Sequence, residues 1–403
     1  MTNRTPDEVT QHVIAELLGI TADAVGRYPW PGWLALDPLL QPTPHRWDAS
    51  GALQALDEVS WREVTVELHR RHFVQLTGGA LTASLWSWLT ADPVAAGQIV
   101  HDRRLGETAV AHIEDRVRRL RHADDIDGGG QVLSETALSL QMTIRLLKDR
   151  GYSDAHGARL YGAAADLTRM HAWAIFDLHD TCADGTFKTA LHSAHAASDP
   201  ALGAHILAFW SIAASGTGRP ADAEAMTAAA LSAARGRTTP RVEAMLLSRR
   251  ARARARQNDP LAYADLDRSA ELLDARGHEE DPEWIYWFDR SEHLGALAST
   301  HLDMGHPDRA ERTYADAAAL FPADRARTQA LFLSRRAEAQ WRQGEAETAC
   351  ATAEKALDLT EAISSHRTAG PLHDLARRMR THESVPAIRD FRERLATAFP
   401  ANQ

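Results

Sequence analysis

In the C-terminal half of the chain, apolar and small residues recur at helical spacing and are interrupted by single Gly or Asn residues at regular distances. Four segments share one template. A Leu is followed four positions on by a small residue, and seven further by Gly or Asn. An Ala or aromatic lies five beyond that punctuator and an Ala twelve beyond it. The copies read Leu207, Ser211, Gly218, Ala223, Ala230; Leu247, Ala251, Asn258, Tyr263, Ala270; Leu294, Ala298, Gly305, Ala310, Ala317; and Leu333, Ala337, Gly344, Ala349, Ala356. The punctuators lie 40, 47 and 39 residues apart, a period of about 40 with one insertion. Self-similarity at that period predicts stacked helix pairs.

The template has a direct physical basis. Residues at i and i+4 share one face of a first helix, and the small one admits the next helix closely. Gly or Asn ends the helix because it enters the left-handed region cheaply. Pro220, Asp259 and Pro307 then start the second helix. One helix pair cannot bury its apolar stripe, so neighbours must stack. A further copy is expected at Leu167, Ala172, Ala183 and Ala190, and a degenerate last pair over about 371–398. Residues 100–150 predict two more helices, with Val110, Ile113, Val117 and Leu120 on one and Leu138, Met142, Ile144 and Leu147 on the other. The Asp124–Gly130 run between them predicts a solvated loop, since it lacks the alternating ligands and bidentate Glu of a calcium loop.

These residues resemble the tetratricopeptide repeat, most closely over Gly305–Ala317 and Gly344–Ala356. The resemblance implies an all-α fold: a right-handed helical solenoid over residues 151–403, preceded by a small helical N-terminal segment and a helical region over 61–150.

The N-terminus adds a second pattern. Thr5-Pro6-Asp7-Glu8-Val9 has the features of a helix start, Val13, Ile14, Leu17 and Leu18 form its apolar face, and Gly19 closes it. Residues 1–27 resemble the closing helices of a Cro/C1-type helix-turn-helix domain; a small helical cap is the equal alternative. No complete domain of that type fits ahead of Pro6, so a native start upstream of Met1 stays open. Residues 28–60 follow as a Trp/Pro-rich joint, with Trp30, Pro31, Trp33, Pro38, Pro42, Pro44 and Trp47. Proline excludes a continuous helix there, and the tryptophans read as anchors for irregular chain. Arg70-Arg71-His72-Phe73 mimics a twin-arginine export signal but lies far from the start.

Taken with Arg71–Gly78, Leu160–Leu167, Ala172-Trp173 and Ser198–His205, the chain resembles actinobacterial transcriptional regulators in which a Cro/C1-type domain precedes a tetratricopeptide-like array. The resemblance implies transcriptional control of development or secondary metabolism. DNA binding through the N-terminal segment, or a scaffold role with a homodimer, are the alternatives.

Composition narrows the chemistry. A net charge of −10 gives no general attraction to nucleic acid or anionic membrane. Two cysteines, Cys182 and Cys350, suit a reducing cytoplasm, and no apolar run is long enough to span a membrane. No catalytic constellation, cofactor motif or phosphate loop is present: Gly128–Gly130 lack a following Lys-Ser/Thr, and His192 and His195 lack an evident third metal partner. The expectation is therefore a cytoplasmic binding protein, not an enzyme, whose groove takes a peptide, protein segment or small signalling ligand.

The sharpest local charge is Arg249, Arg250, Arg252, Arg254 and Arg256, of which Arg249, Arg252 and Arg256 share a face. Leu-Ser-Arg-Arg-Ala recurs in register at 247–251 and 333–337. Two roles are open: an anion clamp on the inner surface, or pairing with acids such as Asp265, Glu271 or Glu338. Analogy with tetratricopeptide arrays places His205, Ile212, Met245, Ser248, Arg252, Ser299, Ser334, Glu338 and Trp341 in the groove.

Overall fold

Each predicted helix–punctuator–helix unit forms. The computed structural model describes residues 45–65, 78–91, 105–127, 129–275, 280–320, 325–361 and 366–399, with Gln11 and Ile363. The helix-turn-helix resemblance in residues 1–27, most of the Trp/Pro joint and the paired Arg70 and Arg71 lie outside the described residues. Sixteen α-helices and no strand occur among the described residues, making an all-α helical solenoid.

Among the described residues, the helices ahead of the hairpins are α1 (Ala49–Thr65), α2 (Gly78–Thr90), α3 (Glu107–Asp127) and α4 (Gly129–Asp149). Six hairpins follow. Their first helices are α5 (Asp154–His179), α7 (Pro200–Gly216), α9 (Pro240–Ala255), α11 (Arg290–Asp303), α13 (Ala326–Arg342) and α15 (His366–Met379). Their second helices are α6 (Asp184–Ala196), α8 (Pro220–Ala234), α10 (Leu261–Leu273), α12 (Pro307–Ala319), α14 (Ala346–Glu361) and α16 (Pro386–Ala398). Consecutive first helices touch one another along the whole series, from α5·α7 to α13·α15.

The turns follow the template. Gly218, Gly305 and Gly344 have φ of 84°, 82° and 84°, and Asn258 takes 57°. Asp180 fills the same place in the first hairpin at 49°. Side chains start several helices: Asp199 accepts from the Leu202 amide, and Asp289 from those of Ser291 and Glu292. The paired small residues are buried: Ala223 and Ala230, Ala310 and Ala317, Ala349 and Ala356. In α10 the register moves by one, so Ala262, Leu266 and Ser269 are buried while Tyr263 is half-buried.

Close approach between first helices relies on glycine. A Cβ on Gly295 of α11 would stand 1.9 Å from the Phe332 ring of α13, and one on Gly216 of α7 would stand 2.6 Å from Phe176 of α5. Both places seat a phenylalanine against bare backbone.

The joint ends earlier than expected, because α1 starts at Ala49. Trp47 just ahead of it stacks on His192 of α6 at 3.7 Å and meets His195 edge-on at 5.7 Å, so these histidines form the seat for an anchoring tryptophan.

The Asp124–Asp127 run is not a solvated loop. It forms the last turn of α3, and Asp124 is buried. Carboxylates at a helix C-terminus oppose the helix dipole. Here Arg327 offsets that, donating from its two Nη atoms to the two Asp124 oxygens at 3.0 Å each.

Candidate functional site

The helix stack curls until its ends meet. The last first helix, α15, packs on α5, and α13 reaches α3. Arg327 joins Asp124 and lies 3.9 Å from Asp177 of α5, while Arg367 of α15 sits 4.5 Å over the Trp173 ring of α5. The enclosed cleft holds about 750 Å³ and is lined mainly by first helices. That size falls among small-molecule sites, which run from roughly 300 to 1,000 Å³.

Helix α9 shows how the lining is made. Its arginines divide between two faces. Arg250 and Arg254 point to the second helices: Arg250 grips Asp265 at 2.6 and 2.9 Å, and Arg254 bonds Asp265 and Glu224, each at 2.9 Å. Arg336 repeats this on α13, bonding Glu311 at 2.6 Å. Arg249, Arg252 and Arg256 turn to the cleft, where their contacts to carboxylates are longer, although Arg256 also donates from Nη1 to the Ser215 carbonyl. Arg249 lies 4.0 Å from Glu292, and Arg252 and Arg256 lie 3.8 Å from Asp303. The Nε atoms of Arg249 and Arg252 are shut off from solvent and meet no acceptor in the protein. Asp265 takes the outward arginines and Glu271 takes Arg268; neither reaches the cleft-facing three.

Desolvated cations accumulate on this wall. Arg335, aligned with Arg249 in the repeated Leu-Ser-Arg-Arg-Ala, donates to Asp303 at 3.1 Å. Glu338 accepts from Arg342 at 2.5 Å and also from Arg378. Burial, aided by the neighbouring Arg335, lowers Arg252 to about 9. Burial also lowers Arg367 to about 10. Burial alone would raise the Asp303 carboxyl, but Arg335, Arg252 and Arg256 reverse the direction and hold it below its ordinary value. Glu292 moves the other way, raised by burial and by neighbouring Asp289 despite the opposing Arg249, Arg325 and Arg367.

Aromatic rings form another part of the lining. Trp173 meets Phe209 edge-on at 4.8 Å, and Phe209 meets Trp287 edge-on at 5.9 Å. Trp287 comes from the insertion that lengthens the repeat spacing to 47 residues. This segment turns inward: Trp284 stacks on His205 at 4.1 Å, Tyr286 donates to Asp125, and Trp287 supports Arg249 at 5.2 Å from ring centre.

Of the residues expected in the groove, Ile212, Arg252, Ser299 and Glu338 line the cleft together. The other five do not. Met245 is wholly buried in the core shared by α5 to α9. Ser248 and Ser334 are buried between helices, donating to the carbonyls of Met245 and Ala330. His205 is covered by Trp284 of the insertion, and Trp341 packs into the C-terminal cluster, edge-on to His382. Arg249, Arg256, Arg327, Arg335, Arg367 and Trp287 line the cleft and were absent from the expected set. The in-register Leu-Ser-Arg-Arg-Ala was the available signal for Arg335, and the shared face was that for Arg249 and Arg256.

No group of three or more His, Cys, Asp or Glu side chains able to hold a metal occurs among the described residues. Likewise, no helix among them is long and apolar enough to cross a membrane. Comparison with protein families finds no model that matches the chain, and comparison with curated proteins finds no match.

Proposed function

We propose that this is a non-catalytic regulatory protein whose helical array senses a small anionic signalling ligand held in the inner cleft. The carrying observation is the cation-rich wall of α9 and α13, with the Arg249 and Arg252 Nε donors unused, inside a chain of net charge −10. Contact of α15 with α5 closes the path that an extended peptide would take through an open groove, which favours a small molecule. The resemblance to actinobacterial regulators supplies the output: ligand binding changes the packing of the array, and that change controls transcription of development or secondary metabolism. The protein acts in the cytoplasm.

The test is a thermal-shift screen of the full chain against fractionated metabolite extracts, with bound compounds identified by native mass spectrometry. The expected result is a compound below about 1 kDa bound one to one, as a cleft of this size implies. Its effect disappears in Ile212→Trp, which fills the cleft. A screen with no hit, or a hit that still binds Ile212→Trp, overturns the reading.

A further inference from the structure

The two faces of α9 use the same residue type differently. Outward arginines make hydrogen bonds to carboxylates at 2.6 to 2.9 Å. Such contacts stitch hairpins together and leave no donor capacity facing a ligand. Around Asp303 two of the three arginine contacts are those of attraction without hydrogen bonding. Arg252 and Arg256 stand 3.8 Å from its Oδ2, and only Arg335 hydrogen-bonds the carboxylate, at Oδ1 and 3.1 Å; Arg256 spends one Nη on the Ser215 carbonyl. The Arg252 Nε and the Asp303 Oδ2 are both buried and both lack a hydrogen-bond partner in the protein. Next to them, Arg342 and Arg378 share Glu338. Five guanidiniums therefore face two carboxylates, a surplus of three positive charges.

Buried donors left unmade are costly, and like charges held together repel. A structural purpose does not require either. An anion with several oxygens supplies the acceptor that the Arg252 Nε lacks and the missing charge. A single carboxylate would leave most of the surplus in place. A phosphate group carries roughly −1.5 to −2, so two linked phosphates come close to neutralising it.

We propose that Arg252, Arg256 and Arg335, with Arg342 and Arg378 beside them, form a diphosphate subsite. The ligand is a small molecule bearing a pyrophosphate or polyphosphate group. Its organic part lies toward Arg249 and Trp287, since Arg249 is one turn before Arg252 on the same face and rests on that ring. This inference rests on the ligand-binding reading of the cleft and specifies its chemistry.

Calorimetry on the full chain distinguishes the two. The probes are inorganic pyrophosphate, orthophosphate and citrate, with adenosine diphosphate as an organic diphosphate. Pyrophosphate is expected to bind more tightly than orthophosphate or citrate, to weaken with salt and to raise Tm. Arg252→Gln is expected to weaken pyrophosphate by about tenfold or more, the loss of one charged hydrogen bond. Without ligand, the same variant is expected to melt no lower than the parent, because it removes a desolvated cation from a repelling group. An arginine with only a structural role would show the opposite, a lower Tm with no change in anion binding. Arg256→Gln serves as the second variant if Arg252→Gln does not fold. Failure of pyrophosphate to bind, or equal binding to both variants and parent, overturns the diphosphate subsite. If a different small molecule fills the cleft without competition from pyrophosphate, the subsite falls and the ligand-sensing reading stands.

Discussion

Arg327 forks onto Asp124 across 203 positions of sequence, with each Nη nitrogen 3.0 Å from one carboxylate oxygen. The pair joins α13 to α3 and lies beside Asp177 of α5. Arg327→Met strands the buried Asp124 carboxylate, and breaking a buried pair in this way costs about 3–5 kcal/mol. Urea denaturation measures that loss, and small-angle scattering should show a wider particle. The double variant Arg327→Met, Asp124→Leu should recover part of the stability, because no lone charge then remains at that pair. A single variant as stable and as narrow as the parent would remove the latch from the account.

The seat between α11 and α13 sets a steric prediction. Gly295→Ala places a methyl where Phe332 already sits, and overpacking of this kind costs about 1–3 kcal/mol. Gly295→Ala with Phe332→Leu should be more stable than Gly295→Ala alone. Thermal melts of the four members of this cycle decide it; simple additivity would mean that the two side chains do not compete for space.

Asp184 is buried at the start of α6. It accepts from Trp210 Nε1 at 2.5 Å and from Arg219 Nη2 at 3.0 Å on both oxygens, and it takes the Cys182 thiol at 3.2 Å. Burial first, then the Asp184 charge, raises the Cys182 pKa. Asp184→Asn keeps the shape but removes the closer of the two carboxylates that balance Arg219, leaving Asp222 at 3.4 Å, with an expected loss of about 3–5 kcal/mol. Its Cys182 should titrate at lower pH than in the parent, read by thiol alkylation rates across alkaline pH.

His293 predicts how stability responds to acid. Ser269 donates its one proton to the Ala244 carbonyl at 2.8 Å, so the His293 Nδ1, 3.1 Å away, is the donor to Ser269. Burial, with Arg290 nearby, lowers His293 to about 4; Asp274 and Asp267 oppose the shift. The unfolded chain takes up its proton near pH 6.5, well before the folded one does. The stabilisation is therefore complete above about pH 6.5 and is lost as pH falls toward 4, amounting to roughly 3 kcal/mol. Urea midpoints measured from pH 7.5 to 4.5 should fall less steeply for His293→Gln. Parallel profiles would rule the assignment out.

The repeats were legible because their rules are local. A helix that stops against a tight turn favours a residue that enters the left-handed region cheaply, and Gly218, Asn258, Gly305 and Gly344 all take positive φ. The cleft was legible only through helical spacing. Arg252 followed from the analogy with tetratricopeptide arrays, as did Ser248 and Ser334, but these two lie one residue to the side and turn into the helix–helix seam. His205 failed for a non-local reason: the insertion folds Trp284 over it. The acidic end of α3 was misread because its partner, Arg327, lies two hundred residues away, where no window of sequence reaches.

Since α15 rests on α5, the array is a hoop and not an open spring. A hoop passes a local push around its whole circumference, so a shift of α9 has to be shared by every seam. It also separates tightness of grip from speed of exchange. On the proposed reading, an occupant's dwell time follows how often the α5–α15 joint breathes, and sequence changes at that joint alter residence time without touching α9.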